Sequence, residues 1–258
     1  MTQSLDVLFT PAEFDALRQR DLSGTVCVVF DILRATTSMM TALGNGAAAI
    51  IPVGEIPEAL ALRRQRPDLL LAGERDGLRI RAGLGGGVDF DLGNSPREFT
   101  PEMVRGKTIA MTTTNGTRAL RACVGAKTVL IGSFLNLHAL AGWLQREQLA
   151  DLRLVCSGTH EEAAYEDTLA AGALGELLCS HASAGQGSDA VAMARQIYRA
   201  AEGDLLAAMQ HSRNARCLLA IPELRDDVRI CIQRDTLTLV AGLDSAGAVR
   251  TISDESTR

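Results

Sequence analysis

Short, nearly unbroken apolar runs punctuate the chain. TVCVVF (25–30), AAAIIPV (47–53), LLLAG (69–73), KTIAM (107–111), KTVLIG (127–132) and LRLVCS (152–157) are the clearest; VRICI (228–232) and LTLVAG (237–242) follow near the end. Runs this short and this apolar predict strands covered on both faces. Between them, residues 55–65, 115–124, 135–147 and 166–180 carry apolar side chains at helical spacing, and 188–221 reads as mainly helical. Strands alternating with helices predict an α/β fold, here a three-layer α/β/α arrangement of two related halves with largely parallel or mixed sheets. The glycine-rich stretch RAGLGGGVDFDLGNSP (81–96) reads as a long loop or crossover. It separates an N-terminal α/β half, 1–100, from a C-terminal one, 101–258, expected to pack as one compact unit. Each half holds a strand, a polar turn and a helix in succession: FDILRATTSMMTAL in the first, AMTTTNGTRALRAC in the second.

Those two turns concentrate the polar residues. Four predicted strand ends are unusually rich in hydroxyls and amides: Asp31–Ser38, Thr112–Arg118, Ser133–Asn136 and Ser157–Glu162. Ligands of parallel α/β sheets bind beyond the carboxyl ends of strands. Ser, Thr, Asn and Gly there either cap the next helix or present donors to an anion. One cap needs one hydroxyl, whereas TTTNGTR holds four Thr and one Asn, so anion binding is the reading favoured for Thr113, Thr114, Asn115, Gly116 and Thr117. Carboxylates form a second group: Asp31 directly after VCVVF, Glu74 in AGERDG, Asp89 and Asp91 in VDFDLGNSP, and Glu166–Asp167 opening a helix. Hard oxygen donors of this kind suit magnesium, which keeps several waters and takes only a few carboxylates. For Glu166 and Asp167, complementation of the helix dipole is the competing explanation.

Composition narrows the classes. A net charge of −5 with no basic stripe argues against a nucleic-acid partner. No apolar run approaches a membrane span, and MTQSLDVLFTPAEF lacks the features of a signal peptide, so the expected location is cytoplasmic. The six cysteines are scattered without a C-x-x-C pair; Cys27, Cys123, Cys156 and Cys231 read as reduced, buried thiols. Several phosphate-chemistry motifs are absent. RGKT (105–108) resembles the end of a P-loop, but Pro101 stands where its first glycine belongs and a strand follows. No cysteine is followed six positions later by arginine, and none of the four histidines lies in an Arg-His-Gly motif. Leu33 stands two residues after Asp31 where the haloacid-dehalogenase pattern needs an aspartate.

Six blocks in order, FDILRATTS, AGERDGLRI, FDLGNSPREF, TTTNGTRAL, GSFLN and EDTLAAGA, make the chain resemble the 2-phosphosulfolactate phosphatase (ComB) family over about residues 26–175, with a further stretch at Asp227–Asp235. The resemblance implies Mg2+-dependent hydrolysis of 2-phospho-3-sulfolactate to 3-sulfolactate and phosphate. On it, the catalytic candidates are Asp31, Arg34 and Glu166, and the metal candidates Asp31, Glu74, Asp91, Glu166 and Asp167. Substrate-binding candidates are Arg34, Thr36, Thr37, Arg75, Asn94, Ser95, Thr113, Thr114, Asn115, Gly116, Thr117 and Arg118. Arginine forks suit sulfonate and carboxylate, and with only two lysines among 26 basic residues arginine must supply the cations. RAGLGGGVD is longer than the family's usual connection and is expected to adjoin the site. The expected partner is a small anionic phosphorylated substrate, with no nucleic acid and no membrane; a homodimer is left open. The alternatives are a phosphatase for another small phosphorylated hydroxy acid and a non-catalytic protein that binds an acidic metabolite.

Overall fold

A computed structural model describes residues 4–147, 149–179 and 187–252. Its centre is a ten-stranded sheet built from β1 (Ser4–Leu8), β2 (Thr25–Phe30), β3 (Ala49–Pro52), β4 (Leu70–Arg75), β5 (Leu78–Arg79), β6 (Thr108–Thr112), β7 (Thr128–Gly132), β8 (Asp151–Cys156), β9 (Val240–Leu243) and β10 (Val249–Ile252). The strand order is β1-β8-β2-β7-β9-β10-β3-β6-β4-β5. β1, β8, β2 and β7 run parallel, as do β3, β6 and β4. The antiparallel β9–β10 hairpin joins these two blocks. Each block draws strands from both sides of residue 100.

Helices flank the sheet: α1 (Pro11–Asp15), α2 (Ala35–Gly44), α3 (Ile56–Gln65), α4 (Pro101–Val104), α5 (Gly116–Ala122), α6 (Leu137–Arg146), α7 (Tyr165–Cys179), α8 (Asp189–Ala201), α9 (Leu205–Ala208), α10 (Arg213–Ala220) and α11 (Arg225–Cys231). β2 shows why its sequence is apolar throughout. Val26, Val28 and Phe30 pack into a cluster with α6, α7 and α8, while Cys27 and Val29 pack into one with α2 and α5. Side chains alternate faces along a strand, so a strand between two helical layers must be apolar at every position. This is a three-layer α/β/α arrangement.

The six clearest runs form strands. VRICI does not: it lies in α11, where Asp227, Val228 and Cys231 are buried. Positions i, i+1 and i+4 share one helical face, and the acidic first turn (Asp226, Asp227) favours a helix N-terminus. LTLVAG contributes only its end to β9. β1, β5 and β10 complete the sheet without an expected run. All six cysteines are free thiols, with Cys27, Cys123, Cys156 and Cys231 buried. Among the described residues no helix is long and apolar enough to cross a membrane.

Candidate active site

Strand ends from both blocks converge on one cavity of about 310 Å3. Asp31 follows β2, Glu74 lies near the end of β4, Thr113–Asn115 follow β6, Gly158–His160 follow β8, and Glu166–Asp167 open α7; all line it. Leu33, Arg34, Asn94 and the α10 residues Asn214, Cys217 and Leu218 complete much of the wall.

Asp31 is held by a local donor, and Glu74, Glu166 and Asp167 by donors from distant segments. Asp31 Oδ1 accepts the Ala35 N–H at 3.1 Å, closing the start of α2 in the manner of a helix cap. Glu74 Oε1 accepts the backbone N–H (2.9 Å) and the hydroxyl (3.0 Å) of Thr114, and its Oε2 accepts the Gly77 N–H (2.8 Å). Asp76 and Gly77 both have positive φ, 54° and 77°, as a tight primed hairpin turn between β4 and β5 requires. Glu166 Oε2 accepts from the Ser212 hydroxyl at 2.7 Å and Oε1 from the Asn214 amide at 2.6 Å. Asp167 accepts from the Ile32 N–H (2.8 Å), the Ser157 hydroxyl (3.1 Å) and the Gly158 N–H (3.2 Å), which ties the ends of β2 and β8 together.

This crowding has an electrostatic signature. Burial, with added repulsion from Glu74 and Glu166, pushes Asp31 up to about 6 even though the Ala35 N–H pulls the other way. Burial and the charges of Glu166 and Asp31 hold Asp167 well above the usual carboxylate range. Arg34 is the one arginine lining the cavity, and its Nη1 donates to the buried Asp227 Oδ2 at 2.7 Å. The lining is therefore acidic and short of cations.

Gly116 lets the two expected turns meet. A Cβ there would sit 2.6 Å from Asp31 Oδ2 and 2.8 Å from the Ala35 Cβ. Gly116→Ala is expected to displace Asp31 and lower kcat about a hundredfold, as small misplacements of reacting groups do. Circular dichroism alongside steady-state kinetics checks this; wild-type turnover in a folded variant would show that the close approach is unimportant.

The threonine hydroxyls turn inward. Thr112 bonds the Gly54 carbonyl, Thr114 bonds Glu74, Thr117 donates to the Thr113 carbonyl, and the Thr113 hydroxyl accepts the Thr117 N–H. Asn115 Nδ2 donates to the carbonyls of Ser157 and His160. Thr36 bonds the Asp31 backbone, Thr37 the Ile32 carbonyl, and Ser38 the Asn94 carbonyl. These groups organise the turns, and only Thr113, Thr114 and Asn115 of TTTNGTR line the cavity.

Four expectations move away from the cavity. Arg118 pairs with Asp15 and with Glu161 (2.6 Å) and covers the Phe14 ring. Asp91 pairs with Arg63 and accepts the Leu71 N–H at 2.8 Å, and Asp89 accepts the Ala82 N–H at 2.7 Å. Arg75 bonds its neighbour's carbonyl, Glu74 O, and Thr112 Oγ1 beside the wall rather than in it. The 81–89 loop does not line the cavity either; it folds back on itself through bonds such as Gly85 N–H to the Arg81 carbonyl. Ser133–Asn136 also stays outside as a capping box before α6. Ser95 lies behind the wall, bonded to Asp227. Conversely, Ser212, Asn214 and Asp76 were not among the expected site residues, and Asp227 was named only as the start of a stretch of resemblance, with no role. Asp76-Gly77 had a legible signal, since Asp-Gly between apolar runs marks a hairpin turn.

Residues 12–245 match the family described as 2-phosphosulpholactate phosphatase. A relative from Caldanaerobacter subterraneus subsp. tengcongensis is 37% identical over 249 residues, 96% of this chain and 99% of its own. Others from Symbiobacterium thermophilum and Synechococcus are each 39% identical, over 225 residues (85% and 91%) and 217 residues (83% and 86%). All three are named probable 2-phosphosulfolactate phosphatases. A family match over most of the chain, joined to a cavity lined by its motif residues, shows that this chain belongs to the 2-phosphosulpholactate phosphatase family.

Proposed function

We propose that the chain is a magnesium-dependent phosphatase that converts 2-phospho-3-sulfolactate to 3-sulfolactate and phosphate. The observation that carries this reading is the gathering of Asp31, Glu74, Glu166 and Asp167 around one cavity in a member of this family. An anionic substrate would be repelled by such a wall unless a cation neutralises it.

The donor set fits a hydrated divalent ion. All four groups are hard oxygen donors, and the upward shift of Asp31 marks negative charge that the protein leaves uncompensated. Among the described residues no three His, Cys, Asp or Glu side chains are gathered closely enough to hold an ion by themselves. That suits magnesium, which binds through one or two carboxylates and retains waters, better than zinc in a closed protein cage. Asp31 would hold the ion directly, with Glu74 and Glu166 reaching it through retained waters, and Asp167 fixes the backbone on which Asp31 stands. Magnesium supplies charge neutralisation and polarisation of the phosphoryl oxygens.

The chain's own residues do the rest. Glu166 is oriented by two donors, so its carboxylate is set before substrate arrives. Leu33, Leu218 and Ile221 give the cavity an apolar side that lowers the local dielectric and strengthens the polar contacts around the reacting bond. The test is phosphate release from 2-phosphosulfolactate by the purified chain with magnesium and with EDTA. Turnover abolished by EDTA and restored by excess magnesium is the expected result. Binding of the ester without phosphate release would favour a metabolite-binding protein, and EDTA-resistant turnover would exclude the metal.

A further inference from the structure

The carboxylate set accounts for the phosphoryl group and leaves Asp227 without a role. Asp227 is fully buried on α11 and outside the cavity wall. Its carboxylate accepts three bonds from two distant segments: Arg34 Nη1 at 2.7 Å, Ser95 Oγ at 2.7 Å and Arg97 Nε at 2.8 Å. Arg97 also bonds the Glu223 carbonyl and lies 3.8 Å from Asp226, which pins α11 to residues 95–97.

Of the residues gathered this way, Arg34 faces the cavity. Arg34 is 3% exposed and lines it, with its other amino group on the Gly77 carbonyl. Two of its five N–H donors are thereby used, and the others have no partner among the described residues. Asp227 takes a bond from each of two guanidinium groups, and Asp226 lies 3.8 Å from Arg97, so the charges of this cluster balance. Asn94, next to Ser95, is 5% exposed and also lines the cavity. Among the described residues its Nδ2 has no acceptor, so it is free to donate to a ligand oxygen, while its enclosed Oδ1 has no donor and cannot meet an anion.

We propose that Asp227 is a positioning residue that builds the subsite for the substrate's second acidic group. It holds Arg34 directly and Asn94 through Ser95, and these two grip the sulfonate or carboxylate next to the phosphoester. This rests on the phosphatase reading and assigns the recognition of the acidic tail within it. A guanidinium fork and an amide N–H together can donate to a pair of oxygens, which a planar carboxylate and a tetrahedral sulfonate both present.

The test compares wild type with Asp227→Asn, Asp227→Glu and Asn94→Asp in the full chain. Asn94→Asp keeps the side-chain shape and remains informative if the Asp227 variants fold poorly. Calorimetric binding of 3-sulfolactate, with lactate and 2,3-dihydroxypropane-1-sulfonate as probes carrying only one acid each, needs no turnover. Asp227→Asn and Asn94→Asp are expected to weaken 3-sulfolactate by about tenfold or more, the loss of a charge-assisted bond. The single-acid probe that loses affinity in parallel identifies the group held. Asp227→Glu is expected to recover part of the loss because it restores the charge. In kinetics, the preference for 2-phosphosulfolactate over phenyl phosphate is expected to collapse in the same variants. Equal affinity of all variants for 3-sulfolactate, or an equal fractional loss of kcat/KM for both esters, would overturn the proposal. If wild type binds 3-sulfolactate but fails to hydrolyse the phosphoester, the phosphatase reading fails and the binding data still decide the subsite.

Discussion

Asp31→Asn is expected to lower kcat at saturating magnesium by about a thousandfold, equivalent to about 4 kcal/mol of transition-state stabilisation. The fold should survive, because Asn keeps an oxygen for the Ala35 N–H that Asp31 Oδ1 accepts at 3.1 Å. What is lost is charge at the point where β2, the start of α2 and Gly116 meet. Burial and the neighbouring carboxylates already disfavour the Asp31 anion, so it gains more than a solvated acid would from a cation. Phosphate release and thermal denaturation measured together separate the two effects. A variant with wild-type turnover and unchanged magnesium dependence would remove Asp31 from the site.

Glu166→Gln is expected to damage both activity and stability. Glu166 is 1% exposed, with Ser212 Oγ at 2.7 Å on one oxygen and Asn214 Nδ2 at 2.6 Å on the other. A glutamine amide has one acceptor, so its NH2 must face one of these donors. Facing Asn214 it sets two amide donors against each other. A buried donor left without an acceptor costs about 1–3 kcal/mol, felt at the junction of α7 with the start of α10. The same change removes one negative charge from the cavity, so magnesium affinity should fall with the melting temperature. Asn214→Ala serves as a control, since it removes a donor and leaves the Glu166 charge. It should weaken stability while retaining most magnesium affinity. If Glu166→Gln melts lower yet binds magnesium as wild type does, Glu166 is a structural anchor for α10 and no ligand.

The strands were legible where both faces are covered. TVCVVF is apolar at every position because helices lie on each side of β2. VRICI misled because a five-residue apolar run has no length with which to distinguish helix from strand. Only the surrounding acids and the contacts of α11 decide it. At the site, Asp31 and Glu74 could be named from the sequence because an acid at the end of an apolar run has few reasons to be there, whereas Glu166 and Asp167 were named as the acids opening a helix.

Arg118 shows the limit of that reasoning. It follows a polar turn as Arg34 does, but its partners Asp15 and Glu161 lie 103 and 43 residues away, and they hold it outside. The hydroxyls of TTTNGTR each find a carbonyl, a carboxylate or an N–H nearby, and this pairing is set by the packed turn rather than by the local pattern. Ser212 and Asn214 reach Glu166 from 46 and 48 residues away, and Asp227 reaches Arg34 from 193. Contacts set by the packing of α10 and α11 leave no local periodicity to read.

The most direct test of the carboxylate cavity as a metal site is a Mn2+ titration of the metal-stripped chain, followed by electron paramagnetic resonance. Manganese takes the same oxygen donors as magnesium and reports bound and free ion separately. One tightly bound Mn2+ per chain, displaced by excess Mg2+ and lost in Asp31→Asn, is the expected result. Binding to Asp31→Asn with wild-type affinity and stoichiometry would contradict the assignment of Asp31 and its neighbours as the metal centre.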